Sequence, residues 1–330
     1  MLFEADKILI NTVGRFRHSK RSFHQKSIVI LFISLCFCLN TVLNAQTLSY
    51  SKNNNAMQSI SLPGNIELNY YEKGNSGTCI LFLHGLGSSH KAFLKMIPLL
   101  EDDFRCLAID YPKDLDHFSL KGYASIIHEF MKAKSIEKYQ VVGHSMSAQI
   151  AMHLVLMYPE EVEGLILLAP AGIEEFSKED KSWFANYVTK SYYKTFTAEK
   201  VKYNFNINFF GGMPSDADFM YEERIEIMSD SLSYDRYLDY YLGCVNAMLA
   251  EPVFESIPQI QTKALILYGA DDFLIPNRIL HSDKSVSDML EKALNQFQYA
   301  EGTLINECGH FMPWDQAESI CIKIEKFINQ

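Results

Sequence analysis

Ser145, Asp272 and His310 are the residues whose types and settings fit one piece of chemistry, activation of a hydroxyl for attack on a carbonyl. In "VVGHSMS" an apolar strand runs into Gly143-His144-Ser145, and a helix-forming run begins at once. A turn that sharp forces its serine into strained dihedrals and projects Oγ above the strand end. Gly143 lets the turn pack closely, and position 147 must also be small. Ser147 stands there, where a Gly-x-Ser-x-Gly pattern has Gly.

The hydroxyl needs a base, and the base needs an orienting acid. "LYGADDFLIP" ends a strand-like run on Asp271 and Asp272, and "NECGHFMPWDQAESI" places His310 in a loop ahead of the last helix. The order serine, acid, histidine suits a strand-turn-helix nucleophile. His310 is assigned as the general base, and Asp272 as the carboxylate that fixes its tautomer and stabilises the imidazolium. Asp271 is read as a turn former. Glu174 and Glu175, after the sixth strand, offer another acid but are more simply helix N-terminal carboxylates.

Acyl transfer also needs donors for the developing oxyanion, an effect of roughly 3–4 kcal/mol per donor. "LFLHGLGSS" ends an early strand with His84-Gly85-Leu86-Gly87. The backbone N–H groups of Leu86 and Met146 are the expected pair, and His84 is expected to bond the turn rather than react.

These residues need a scaffold that brings strand ends together. "MQSISLPGNIELNYYEKG" predicts two strands about a Pro63-Gly64-Asn65 turn. "TCILFLHG", "FRCLAIDY", "YQVVGHS", "VEGLILLAP" and "TKALILYGADD" are short buried-strand runs. "SLKGYASIIHEFMKAKSI", "MSAQIAMHLVLMY" and "AESICIKIEKFIN" have helical periodicity. The alternation predicts an α/β fold, a mostly parallel twisted sheet with helices on both faces. Between about 173 and 258 the strand pattern stops and aromatics accumulate, among them Trp183, Phe184, Tyr192, Tyr193, Phe196 and Tyr241. The expected organisation is a core of 57–172 and 259–330 with a helical cap or lid inserted at 173–258.

The 330 residues are 48% hydrophobic, enough for a large buried core. Net charge is −10, and beyond residue 45 the chain holds 24 basic against 38 acidic residues. A body so acidic argues against binding a phosphate backbone. No cysteine spacing suggests zinc, no His/Asp/Glu cluster has metal-ligand spacing, and no cofactor motif is present. The order "RFRHSKRSFHQK", "SIVILFISLCFCLNTVL", "NAQ" reads as a secretory signal over residues 1–45, cut after Ala45, with a loose leader over 46–56. Export to the periplasm or medium follows, with an uncleaved membrane anchor as the alternative. Leu35 and Phe37 precede Cys36 and Cys38, where a lipidated signal wants a small residue. Five cysteines remain after the cut, and Cys79 and Cys106 are read as buried thiols.

The segments "LFLHGLGSSHKAF", "VVGHSMSAQIAMHLVLMYPEEVEGLILLAPAG", "ALILYGADDFLIP" and "ECGHFMPWDQAESICIKIEKF" together resemble the α/β-hydrolase fold superfamily, from about residue 57 to the end. The "PAG" after the sixth strand is similar to monoacylglycerol-lipase-like members. The resemblance implies Ser145 as nucleophile, Asp272 as acid, His310 as base, and oxyanion donors at Leu86 and Met146. Ser147-Ala148 departs from the usual Gly-Gly and resembles the subgroup of plant strigolactone receptors, which keeps a working triad. "IDYPKDLDHF" lacks the usual Pro-Gly-x-Gly turn, a departure expected to reshape one rim of the pocket without touching the triad.

The expected function is an exported serine hydrolase cleaving a carboxylic ester with an apolar or aromatic acyl group through an acyl-enzyme. A hydrolase-fold sensor with slow turnover, a cofactor-free perhydrolase and a C–C hydrolase are the alternatives.

Overall fold

The computed structural model describes residues 57–75 and 77–330. The signal expected over 1–45 and the leader over 46–56 lie outside the described residues. Among those described, no helix is long and apolar enough to cross a membrane.

Eight strands form one sheet: β1 (Gln58–Leu62), β2 (Ile66–Lys73), β3 (Cys79–Leu83), β4 (Arg105–Asp110), β5 (Tyr139–His144), β6 (Val162–Leu168), β7 (Ala264–Gly269) and β8 (Ala300–Ile305). Their spatial order is β1-β2-β4-β3-β5-β6-β7-β8. The β1–β2 and β2–β4 pairs are antiparallel, and all later pairs are parallel. The hairpin turns where expected, with Gly64 and Asn65 both at positive φ. Every residue of β3, β5 and β7 is buried. Strands covered on both faces have no reason to alternate, hence the continuous apolar runs.

Eleven α-helices accompany the described strands: α1 (Ile97–Leu100), α2 (Leu120–Ala133), α3 (Met146–Met157), α4 (Lys178–Tyr187), α5 (Lys190–Tyr193), α6 (Ala198–Asn206), α7 (Asp218–Ser229), α8 (Ser231–Ala250), α9 (Val286–Gln296), α10 (Met312–Asp315) and α11 (Ala317–Ile328). Between β3 and β4 the chain forms a 3-10 turn at His90–Phe93 followed by α1. α3 is buried continuously from Met146 to Val155, and α11 buries Ala317, Ile320, Cys321, Ile324 and Phe327 as a helical stripe. Helices α4 to α8 all lie between β6 and β7.

Two elements had not been singled out from sequence. β8 is an edge strand, "AEGTLI", too polar and too exposed to form an apolar run. α9 opens on a capping box in which Ser285 accepts from the Asp288 N–H and the Asp288 carboxylate accepts from the Ser285 N–H. The Ser-x-x-Asp spacing is the signal that would have found it.

Cys79, Cys106, Cys244, Cys308 and Cys321 are all free and buried. Burial pushes the thiols of Cys79, Cys244 and Cys321 up to about 12, which leaves them protonated fillers of the core.

Candidate active site

Sheet register assembles the site before any side chain is considered. Leu83, at the end of β3, pairs with Gly143 of β5, and His144 pairs with Leu168 of β6. The His84–Gly87 loop therefore leaves the sheet beside the turn that carries Ser145. β7 delivers Asp272 and β8 delivers His310 along the same carboxyl-end edge, the side where open parallel sheets form crevices.

Ser145 sits at φ 55°, ψ −119°, a conformation L-residues rarely adopt. Strain of this kind persists only where the surroundings over-determine it. Here the Ser145 N–H donates to the Leu168 carbonyl at 2.9 Å, and the Ser145 carbonyl accepts from Ala148 at 3.0 Å and Ala171 at 3.1 Å. A Cβ on Gly143 would lie 2.5 Å from the Ser147 carbonyl oxygen and 2.8 Å from the Ala148 Cα, so the turn closes only around glycine.

The three far-separated side chains meet. His310 Nε2 lies 3.0 Å from Ser145 Oγ, and His310 Nδ1 lies 2.8 Å from Asp272 Oδ2. Asp272 Oδ1 accepts from the N–H groups of Leu274 (2.7 Å) and Ile275 (3.0 Å). Asp272 is fully buried, whereas Asp271 is exposed and its N–H donates to the Cys308 carbonyl at 3.0 Å. With the carboxylate acceptor-only, Nδ1 carries a proton toward Asp272 and Nε2 offers its lone pair to the serine hydroxyl.

The loop after β3 comes equally close. A Cβ on Gly85 would stand 3.2 Å from Ser145 Cβ. His84 Nδ1 donates to the Gly85 carbonyl at 2.8 Å, and burial lowers this imidazole to about 4, so it is a neutral brace of the turn. The Met146 N–H opens α3 and has no acceptor one turn earlier. Leu86 lines the same cavity as Ser145 and His310. Glu174 does not reach His310. It is bonded to His281 Nδ1 and to the Asn277 N–H.

Several supporting groups were missed in the sequence. Ser147, read there as merely small, donates its hydroxyl to the His84 carbonyl and shares a 2.8 Å bond with the Tyr111 hydroxyl. It joins the Ser145 turn to the loop after β3 and to the residue that follows β4. His144 Nε2 donates to the His310 carbonyl at 2.8 Å, and burial lowers its ring to about 3. Asp315 accepts from Gly309 (2.8 Å) and Phe210 (2.9 Å), and the Phe311 N–H donates to the Asn208 carbonyl at 2.9 Å. The inserted segment thus grips the His310 loop on both sides. No spacing in the sequence could have paired residues about a hundred positions apart.

A cavity of about 810 Å³ opens over Ser145 and His310, roofed by Trp183, Phe184, Tyr192, Tyr193, Phe196 and Tyr241. Other aromatics of the segment serve packing: Phe209 stacks on Phe311, while Tyr240 is fully buried in the main core.

Residues 78–198 match the family model described as alpha/beta hydrolase fold. The chain is 22% identical to a serine hydrolase-like protein of Danio rerio over 59% of its own length, and it spans 66% of that relative. It is 21% identical to a 2-hydroxy-6-oxononadienedioate/2-hydroxy-6-oxononatrienedioate hydrolase of Paraburkholderia xenovorans (strain LB400), covering 80% of this chain and 91% of that one. Among solved structures, an esterase from Exiguobacterium antarcticum superposes with a TM-score of 0.68 at 18% identity, over 83% of this chain and all of its own. The sheet order, the turn at the end of β5 and these likenesses agree, and the chain has the α/β-hydrolase fold.

Proposed function

We propose that this protein is a serine hydrolase that cleaves a carboxylic ester through an acyl-enzyme. The observation that carries the reading is the continuous relay from Ser145 Oγ to His310 Nε2 (3.0 Å) and from His310 Nδ1 to Asp272 (2.8 Å), built on a strained turn. Ser145 attacks the ester carbonyl while His310 takes its proton. Asp272 stabilises the imidazolium and does not itself take the proton. The N–H groups of Leu86 and Met146 stabilise the tetrahedral oxyanion. His310 then protonates the leaving alcohol, and a water activated by the same ring releases the acid. The aromatic roof favours an apolar or aromatic acyl group.

The test is hydrolysis of a short 4-nitrophenyl ester together with fluorophosphonate labelling. Wild type should show both, and Ser145→Ala should lose labelling and at least about 10⁴-fold in kcat. A wild-type protein with neither turnover nor labelling would sink the proposal and favour a ligand-sensing role.

The Paraburkholderia relative, matched over most of its length, supports a second reading, C–C bond hydrolysis by the same three residues. Turnover of a vinylogous 1,5-diketone in preference to every ester in a panel would favour it. Export remains part of the proposal, resting on the N-terminal residue order. A secreted protein whose mass begins at Gln46 is expected, and an intact Met1 in membranes would overturn it.

A further inference from the structure

The charged residues around the cavity are unevenly matched. Glu174 is engaged by His281, Glu175 by Lys292 at 2.7 Å, and Glu223 by Lys91. Arg224, which lines the cavity from α7, has no carboxylate partner among the described residues. Its Nη2 donates to the Gly87 carbonyl at 2.9 Å, and its guanidinium carbon stands 4.1 Å from the Tyr237 ring centre. A guanidinium has five N–H donors, so this contact leaves most of them unused.

A second group at the same place lacks a partner. Tyr237 is 7% exposed, lines the cavity, and its hydroxyl makes no hydrogen bond among the described residues. The Arg224 charge acts on this hydroxyl, yet no well-formed bond joins the two. Both converge on Gly87. A Cβ there would lie 2.6 Å from the Tyr237 hydroxyl and 3.2 Å from Arg224 Nη2. Gly87 directly follows Leu86, the proposed oxyanion donor, so the cluster borders the reaction site. A buried hydroxyl left without a partner is costly, and a guanidinium beside aromatic rings retains its attraction for anions.

We propose that Arg224 and Tyr237 form an anion subsite, and that the substrate is an ester carrying a carboxylate on its acyl chain. This rests on the hydrolase reading and refines it. The guanidinium fork takes the planar carboxylate, and the Tyr237 hydroxyl supplies a further donor. One cation and one hydroxyl suit a monoanion. An ester with a neutral chain would leave both groups unsatisfied, so the subsite selects by rejection as well as by attraction.

The test compares 4-nitrophenyl hydrogen glutarate with 4-nitrophenyl pentanoate, which differ by a carboxylate in place of a terminal methyl. Wild type should favour the anionic ester by about 10- to 100-fold in kcat/KM, the range expected for a charge-assisted bond. Arg224→Gln should reduce that ratio by at least about 10-fold, and Tyr237→Phe by about 3-fold. Arg224→Lys should recover part of the preference, most visibly in KM. A wild-type ratio near one would overturn the subsite. So would equal losses on both esters in Arg224→Gln, which would mark Arg224 as a strap on the Gly87 loop.

Binding separates this proposal from the one beneath it. Calorimetry of monomethyl glutarate on Ser145→Ala protein needs no turnover. Arg224-dependent binding by a protein that hydrolyses nothing would keep the subsite and end the hydrolase reading. Ester turnover without Arg224-dependent binding would do the reverse.

Discussion

Ser145 and the first helices of the inserted segment sit on opposite sides of one cavity and are held in different ways. Around Ser145, His84, His144, Ser147, Asp272 and His310 are each less than one-tenth exposed, and the turn is fixed by main-chain bonds to β6 and α3. In α4 and α5 no residue is buried, and the rings of Trp183, Phe184, Tyr192 and Phe196 pack chiefly on one another. The floor has one arrangement because its dihedrals, packing and polar pairing all demand it. The roof is made of adaptable aromatic surface. Under the proposed function, the floor would set the reaction and the roof the choice of substrate.

Four substitutions or conditions sharpen or break that contrast. Asp272→Asn should be the most damaging to turnover after Ser145 itself. The amide can donate to Nδ1 and reverse the His310 tautomer, and a loss of about 10⁴-fold in kcat with near-native melting is expected. A loss below about 10-fold would mean that Asp272 does not orient the base.

Acid should come next. His84 and His144 are held neutral, at about 4 and about 3, chiefly because burial disfavours their charged forms. Unfolded, each titrates near its ordinary value of about 6.5. Below that pH the unfolded chain binds protons that the folded one refuses, so stability falls with falling pH. Each histidine contributes up to about 1.4 kcal/mol per pH unit until its folded value is reached. Thermal melts from about pH 7 to about pH 4.5 should show a steep drop, and His84→Gln should flatten it. An unchanged slope in that variant would remove His84 from the account.

Gly143→Ala should cost about 1–3 kcal/mol, because its Cβ meets backbone rather than a yielding side chain. Denaturant melts would show the loss, and activity should fall with the distorted turn. Phe196→Ala, in the roof, should have the smallest effect: KM raised about 3- to 10-fold, kcat within about 2-fold, and little change in melting. A large stability loss there would erase the proposed difference between roof and floor.

The floor was also the more legible half of the sequence. β3, β5 and β7 announce themselves as unbroken apolar runs because both of their faces are covered. Gly143-His144-Ser145 announces a turn because strand and helix patterns abut there. β8 and α9 were passed over for the converse reason: a half-exposed edge strand carries no run, and α9 is marked mainly by its Ser285/Asp288 cap. Ser147 shows a subtler limit. Its size could be judged from the turn, but its hydroxyl contacts with Tyr111 and the His84 carbonyl depend on β3 lying between β4 and β5 in the sheet.

The sequence by itself determined which local segments could be strands, helices and a nucleophile turn, since periodicity and small residues act over a few positions. It also ordered serine, acid and histidine along the chain. Only the tertiary structure decided that residues 208–210 brace the His310 loop and that Arg224 and Tyr237 meet at Gly87. Those contacts join residues tens to more than a hundred positions apart. Their partners are chosen by sheet register and helix docking, which no local pattern encodes.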